Sequence, residues 1–309
     1  VTSLCMGTSV GTIIALMPIA AGLAERTEMT LPIVAAAVVG GAFFGDNLSF
    51  ISDTTIVSTQ SQGCKLSDKF RFNIRMVLPV AIIAGLIYIF LGSEATEVVA
   101  PQTIPFWKVI PYLTVLVCAA IGMNVLVVLV IANLLTCITG IIGGSYDFMG
   151  WITSTLDGVM GMSELILISM LAGGIFAMIS HNKGMDFIIE RITSRVKHRW
   201  GAELSICLLV AFANICTANN TIAILSVGDI SRRISERFGI DPRRSASLLD
   251  TTSCCVQGLL PYGAQLLMAS GLAGISAMSI VPYLYYPALL GIAVLATIFI
   301  LHKRNYSKQ

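Results

Sequence analysis

Gly45-Asp46-Asn47-Leu48-Ser49-Phe50-Ile51-Ser52-Asp53-Thr54-Thr55-Ile56-Val57-Ser58-Thr59-Gln60-Ser61-Gln62 holds two carboxylates among hydroxyls and amides, directly after the apolar run Leu31 to Phe44. That run is long enough to carry the chain deep into a bilayer. An ionised Asp near the centre of a membrane helix costs roughly 2.5–3.5 kcal/mol on insertion scales, so such residues face a bundle interior or an aqueous cavity and bind something. The stretch is expected to break a helix and to carry an ion or proton site.

The composition fits that solvent. With 56% hydrophobic and 12% charged residues in 309, and a mean hydropathy of +0.85, the chain has too much apolar surface for one soluble core. The net charge of +2 offers nothing to a nucleic acid. The eight cysteines form no CxxC pair and sit mostly in apolar runs, as small packing residues do. The chain opens at Val1 with neither an initiator Met nor a signal-peptide pattern, so further helices are expected upstream.

Apolar spans are predicted at Ser3–Ala24, Leu31–Ser61, Met76–Gly92, Val109–Ile121, Asn124–Ile142, Glu164–Ser180, Ala202–Thr217, Asn219–Ile234, Ala246–Ser270 and Pro282–Leu301. Of the 19 Lys and Arg residues, 17 fall in four segments: Lys65 to Arg75, Lys183 to Arg199, Arg232 to Arg244, and Lys303 to Lys308. Ten crossings put all four on one side, which the positive-inside rule makes cytoplasmic, with the C-terminus there too. Apart from Arg232 and Arg233 at the end of Asn219–Ile234, no Lys or Arg falls inside the predicted spans. Between them, His181 to Trp200 has the spacing of a surface amphipathic helix. Ser145 to Ser163 is a Gly- and Met-rich outer connection.

Asp53-Thr54-Thr55 recurs as Asp250-Thr251-Thr252, and Thr12-Ile13-Ile14-Ala15 resembles Thr221-Ile222-Ala223-Ile224. A second register pairs Asp46 with Asp250. Copies separated by an odd number of crossings point opposite ways, the arrangement by which many secondary transporters build a site at the midplane. The expected fold is all-α: a polytopic transmembrane bundle of about ten spans, with inverted repeats and broken helices. Residues 1–180 would hold the first repeat and scaffold helices, 181–202 the connector, and 203–309 the second repeat.

Breaks expose carbonyls, and nearby side chains add oxygen ligands suited to Na+, Li+ or H+ rather than to a soft metal. The first break offers Asp46, Asn47, Ser49, Ser52, Asp53, Thr54 and Thr55. The second offers Asp250, Thr251, Thr252, Ser253 and Gln257, and Asn214, Thr217, Asn219 and Asn220 mark a third. The same residues also suit plainer roles: Asp46 and Asp250 as helix caps, the Ser and Thr residues as back-bonded helix positions.

The first break resembles the Gly-Asp-Lys-x-Ser-Pro-x-Ser-Asp-Thr-Thr signature of NhaC-type sodium/proton antiporters, and Leu249-Asp250-Thr251-Thr252 to Leu260-Pro261-Tyr262-Gly263 is similar to that family's second polar break. Asn47 stands in place of the signature Lys, and Phe50 in place of its Pro. The resemblance implies a secondary antiporter in the cytoplasmic membrane, with Na+ (or Li+) and H+ as cargo and no cofactor. Members that exchange small organic acids or amino acids keep a second reading open, a Na+- or H+-coupled amino-acid or carboxylate permease. The absence of Lys and Arg from the interior of the spans favours the bare cation. Partners are the lipid bilayer and small cations, with a homodimer allowed. No HExxH, GxSxG or phosphate-binding Gly loop suggests an enzyme.

Overall fold

The computed structural model describes residues 3–4, 7–27, 29–49, 52–92, 110–120, 123, 125–161, 163–184, 187 and 198–306, and every element among them is a helix. The expected amphipathic connector falls largely outside the described residues. The first copy holds α1 (Ser9–Thr27), α2 (Leu31–Leu48) and α3 (Asp53–Gln62). Then come α4 (Leu66–Gly92), α5 (Ile110–Ala120), α6 (Val125–Ile142), α7 (Phe148–Gly161) and α8 (Ser163–His181). The second copy holds α9 (Arg199–Thr217), α10 (Asn220–Phe238), α11 (Pro242–Leu259) and α12 (Ala264–Ala273), followed by the single turn α13 (Ala277–Ile280), a 3-10 turn at Val281–Tyr283 and α14 (Tyr285–Tyr306). The outer connection at 145–163 is thus mostly helix α7.

Local chemistry sets the punctuation. Pro32 opens α2, and the chain leaves that helix in extended conformation at Ser49. Ser52, also extended, starts α3, and Gly63 stops it at φ 66, where a Cβ would be strained. In the second copy Asp241 caps α11 by accepting from Arg243 N, ahead of Pro242. That helix runs unbroken through Asp250, Thr251 and Thr252; the break comes later, at Leu260 to Gly263. Their polarity therefore marks buried helix interior, in contrast to the expected break at those residues. The third break is where it was expected: Ala218 adopts φ 49, and Asn219 caps α10 by accepting from Ile222 N.

The helix boundaries repeat at a constant offset of 211 residues. Ser9 and Asn220 open helices of 19 residues, Leu31 and Pro242 helices of 18, and Asp53 and Ala264 helices of 10. Left-handed turns match as well, Gly7 with Ala218 and Gly63 with Gly274. This register pairs Asp46 with Gln257 and Asp53 with Ala264, so neither sequence register containing Asp250 is the structural one. The half-helices are exchanged between copies: α3 packs on α10, and α12 packs on α1.

Two apolar clusters hold the fold. One gathers Ile13, Met17, Val39, Phe43, Leu266 and Tyr286; the other gathers Ile206, Leu209, Ile224, Val227, Leu248 and Leu249. Helix α11 joins them, with Asp250 between Leu249 of one and Cys254 of the other. Ile89, Phe90, Leu225, Ile292 and Ile300 point outward, as in a bundle solvated by lipid. Three spans are long and apolar enough to cross a membrane, Leu31–Gln62, Leu66–Gly92 and Arg199–Thr217, or four if Pro242–Ala273 and Ala277–Tyr283, bent by 101°, count as one. Among the described residues that test falls short of ten crossings, partly because α10 and α11 carry many Ser, Thr and Arg residues on their polar sides.

Candidate functional site

Helix ends from both copies converge on a cavity of about 120 Å³. Its lining falls into pairs at the 211-residue offset: Gly7 with Ala218, Thr8 with Asn219, Ser9 with Asn220, Val10 with Thr221, Asp46 with Gln257, Asp53 with Ala264, and Thr54 with Gln265; Ser52 completes it. The N-termini of α1, α3, α10 and α12 all open here, bringing partial positive charge. Asp46 and Asp53 supply the negative charge, and no Lys or Arg lines the cavity.

Asp46 is 3% exposed. The hydroxyls of Ser9 and Ser52 reach its carboxylate, and its Oδ1 has no hydrogen-bond partner. Behind it two amides of the second copy run to a hydroxyl of the first: Gln257 Nε2 donates to Gln265 Oε1 at 2.9 Å, and Gln265 Nε2 donates to Ser9 Oγ at 3.0 Å. Gln257 Nε2 also donates to Ala218 O at 2.7 Å, tying α11 to the third break. Ser52 and Thr54 share a hydrogen bond of 3.0 Å. Asp53 is exposed at the cavity mouth, as is Asn219, while Asn220 is buried.

A second polar cluster lies beside the first, sealed from solvent. The break after α2 frees two carbonyls, and both are taken: Thr55 Oγ1 donates to Asp46 O at 3.2 Å, and Asn73 Nδ2 donates to Asn47 O at 3.1 Å. Lys69 Nζ donates to Asp250 Oδ2 and to Thr55 Oγ1, each at 2.6 Å, and reaches Asn47 O at 3.4 Å. Asn73 Nδ2 also donates to Asp250 Oδ2, at 3.1 Å. Asn47 Nδ2 donates to Tyr286 OH at 3.1 Å and to Phe43 O at 3.0 Å. Lys69, Asn73, Asn47 and Asp250 are each 0% exposed.

Lys69 overturns two expectations. It belongs to no cytoplasmic loop, because α4 starts ten residues before the predicted span and carries the ammonium into the bundle. Nor are the membrane-embedded segments free of cations. The buried face Lys69, Asn73, Met76, Val77, Val80 and Ala84 has helical spacing that could have revealed this, masked by Arg71 and Arg75 on the exposed side. The signature Lys that Asn47 replaces is therefore matched in charge by a Lys from another helix, which reaches the same end of α2.

Of the candidate residues, Asp46, Ser52, Asp53, Thr54, Asn219, Asn220 and Gln257 meet in the cavity. Asn47, Thr55 and Asp250 meet in the Lys69 cluster. Others join neither. Ser49 Oγ donates to Leu4 O at 3.0 Å, Thr251 Oγ1 back-bonds to Ser247 O at 2.6 Å, and Thr252 faces Cys207. Lys69, Asn73, Ser9 and Gln265 complete the two clusters. His, Cys, Asp and Glu form no group of three able to hold a metal among the described residues.

A malate-2H(+)/Na(+)-lactate antiporter of Bacillus subtilis (strain 168) is 21% identical over 92% of this chain and 68% of its own length. The Na(+)/H(+) antiporter NhaC of Alkalihalophilus pseudofirmus is 22% identical over 90% of this chain and 66% of its own. The arginine/ornithine antiporter ArcD of Halobacterium salinarum is 22% identical over 85% and 61%. The chain thus spans about two thirds of the length of these relatives. The Na+/H+ antiporter family profile matches residues 1–93 and 94–303. With nearly the whole sequence covered by that match, a helical bundle broken at buried polar positions, and antiporters among its relatives, this chain belongs to the Na+/H+ antiporter family, a family of transporters rather than enzymes.

Proposed function

We propose that the chain forms the transport core of an antiporter that exchanges Na+ (or Li+) for H+ across the cytoplasmic membrane, with Asp46 holding the two in turn and Asp53 at the cavity mouth. The observation that carries this reading is the unpartnered Asp46 Oδ1, buried in a polar cavity built by both copies. An uncompensated buried carboxylate is costly unless a proton or a cation neutralises it. Thr54, Asn219, Asn220 and Ser52 add neutral oxygens of the kind a hard cation accepts. Asp250 lies outside the cavity lining, paired with Lys69. The two copies are read as inverted, with the basic segments cytoplasmic, from the charge distribution along the sequence.

A second reading has its own support. Four helix N-termini around one cavity favour negative charge, and about 120 Å³ exceeds what a bare alkali ion needs. A small carboxylate would fit these N-termini, with Asp46 turned to the coupling ion; one relative is a malate/lactate exchanger and another an arginine/ornithine exchanger. Lys69 is not available to such a substrate, because Asp250 already neutralises it.

The test is transport by the full-length protein in inverted vesicles, following internal pH after adding Na+, Li+, K+, malate, lactate or arginine. Proton movement driven by Na+ or Li+ and abolished by Asp46→Asn supports the leading reading. Movement driven only by the organic solutes transfers the case to the second, and an Asp46→Asn protein that exchanges at the native rate defeats both.

A further inference from the structure

We propose that the Lys69 ammonium is a tethered occupant of a second monovalent-cation site, standing where a free ion would otherwise sit, so that Asp250 takes no part in carrying cargo. The inference rests on the reading of the chain as a cation antiporter, but it concerns a different group of residues from the Asp46 cavity.

The surroundings of Lys69 Nζ are those of a cation. Its contacts are all oxygens of three kinds: a carboxylate (Asp250 Oδ2, 2.6 Å), a hydroxyl (Thr55 Oγ1, 2.6 Å) and a carbonyl freed by a helix break (Asn47 O, 3.4 Å). Mixed sets of this type bind hard monovalent ions at broken helices. The group also has more acceptors than donors. Asp250 Oδ1, Asn73 Oδ1 and Asn47 Oδ1 belong to residues that are 0% exposed, and none has a hydrogen-bond partner. A structural ion pair that had evolved only to join α4 to α11 would not need spare buried oxygens, each carrying a desolvation penalty. A coordination shell holding one ammonium accounts for them, because an ammonium has only three hydrogens to give. The helix that brings the lysine, α4, contributes Asn73 one turn further on, so the occupant and part of its shell arrive together.

The consequence concerns cargo. With Lys69 in place, one movable cation at Asp46 is all that the two clusters accommodate. Removing the side chain leaves an empty site of net negative charge, with Asp250, Thr55, Asn47 and Asn73 around it.

The experiment counts bound 22Na+ per chain by equilibrium binding on the purified full-length protein in lipid nanodiscs, for the native protein, Lys69→Ala, Asp250→Asn and the double variant, with Asp46→Asn as a separate arm. The expected result is one more Na+ per chain in Lys69→Ala than in the native protein, lost again in Lys69→Ala/Asp250→Asn, with the native count kept in the double variant. A folded Lys69→Ala that binds no extra Na+ overturns the proposal. So does a double variant that has lost the native Na+, since Asp250 would then serve the native site. Should Lys69→Ala fail to fold, the double variant decides: a folded chain with the native Na+ count and Na+/H+ exchange supports the proposal, and a misfolded one shows the pair to be structural and overturns it. The Asp46→Asn arm addresses the other reading: loss of the native Na+ there supports the Asp46 cavity, whereas its retention sinks that cavity and leaves the gain in Lys69→Ala as an independent result.

Discussion

The Lys69–Asp250 pair makes a quantitative demand on stability. Both side chains are 0% exposed and their charged atoms are 2.6 Å apart, so Lys69→Met strands a carboxylate and Asp250→Asn strands an ammonium where no water replaces the partner. Breaking a buried pair from one side costs about 3–5 kcal/mol, whereas replacing both charges is often neutral or stabilising. In the double variant Lys69→Met/Asp250→Asn, neither an unpaired carboxylate nor an unpaired ammonium remains at the buried position. Each single variant is therefore expected to melt roughly 6–20 °C below the native protein, and the double variant to regain most of the loss. The measurement is a thermal melt in detergent, in sodium-free choline buffer so that no small cation replaces the lost charge. Single penalties below about 1 kcal/mol would show the pair to be hydrated. A double variant whose loss equals the sum of the two single losses would show that the two charges do not interact, and the reasoning would fail.

Three further outcomes follow from the packing. Gln62 Nε2 donates to Gly228 O at 2.9 Å while its Oε1 accepts from Ser245 at 2.8 Å; Gln62→Ala should cost about 1–3 kcal/mol of unfolding stability, seen as a lower melting temperature without loss of membrane insertion. Gly258 faces the rigid ring of Pro287, whose Cγ would lie 2.6 Å from an added Cβ; Gly258→Ala should cost about 1–3 kcal/mol by overpacking, read as reduced monodisperse yield in size-exclusion chromatography. Asp241 caps α11 with its carboxyl held below the ordinary value of 3.8 by hydrogen bonds from Arg243. A lowered carboxyl stabilises the fold above its ordinary value and loses that contribution as pH falls through the lowered one. Asp241→Ala should thus cost about 1 kcal/mol at pH 6, and melts should show the difference from native shrinking below about pH 4.

The first copy was legible in the sequence because its polar residues interrupt an apolar run, where hydropathy contrast is greatest. The stretch from Asp46 to Thr54 accordingly read as a break, and α2 ends at Leu48 and α3 starts at Asp53 within it. The second copy misled for the opposite reason. Asp250-Thr251-Thr252 is polar within a polar helix, so its composition could not distinguish a break from a buried interior, and the true break at Leu260 to Gly263 carries no charge. Lys69 was hidden by its neighbours, since two exposed arginines within six residues make a basic loop the simpler reading. The repeat was visible as an idea but not as a register: matching tripeptides suggested offsets involving Asp250, whereas the helix caps and left-handed turns define 211 residues. Backbone punctuation repeats here, and side-chain identity does not.

That last difference has an energetic consequence at the two half-helices. Where α3 meets α10 and α11, the junction holds Gln62, Gly228, Ser231, Ser235 and Ser245, with Ser235 Oγ and Ser245 Oγ 2.8 Å apart. The equivalent positions where α12 meets α1 and α2 are Ala273, Met17, Ala20, Ala24 and Val34, without a polar side chain. Parting the first junction exchanges a few hydrogen bonds for bonds to water, at about 0.5–1.5 kcal/mol each, and hydrates the buried, unpartnered Ser231 hydroxyl. Parting the second exposes Met17, Leu266 and Ala269, all 0% exposed, at about 1.5–3 kcal/mol for each large side chain wetted. The polar contacts among these equivalent positions thus lie at the end of α3, beside the basic residues Lys65, Arg232 and Arg243, and not at the end of α12.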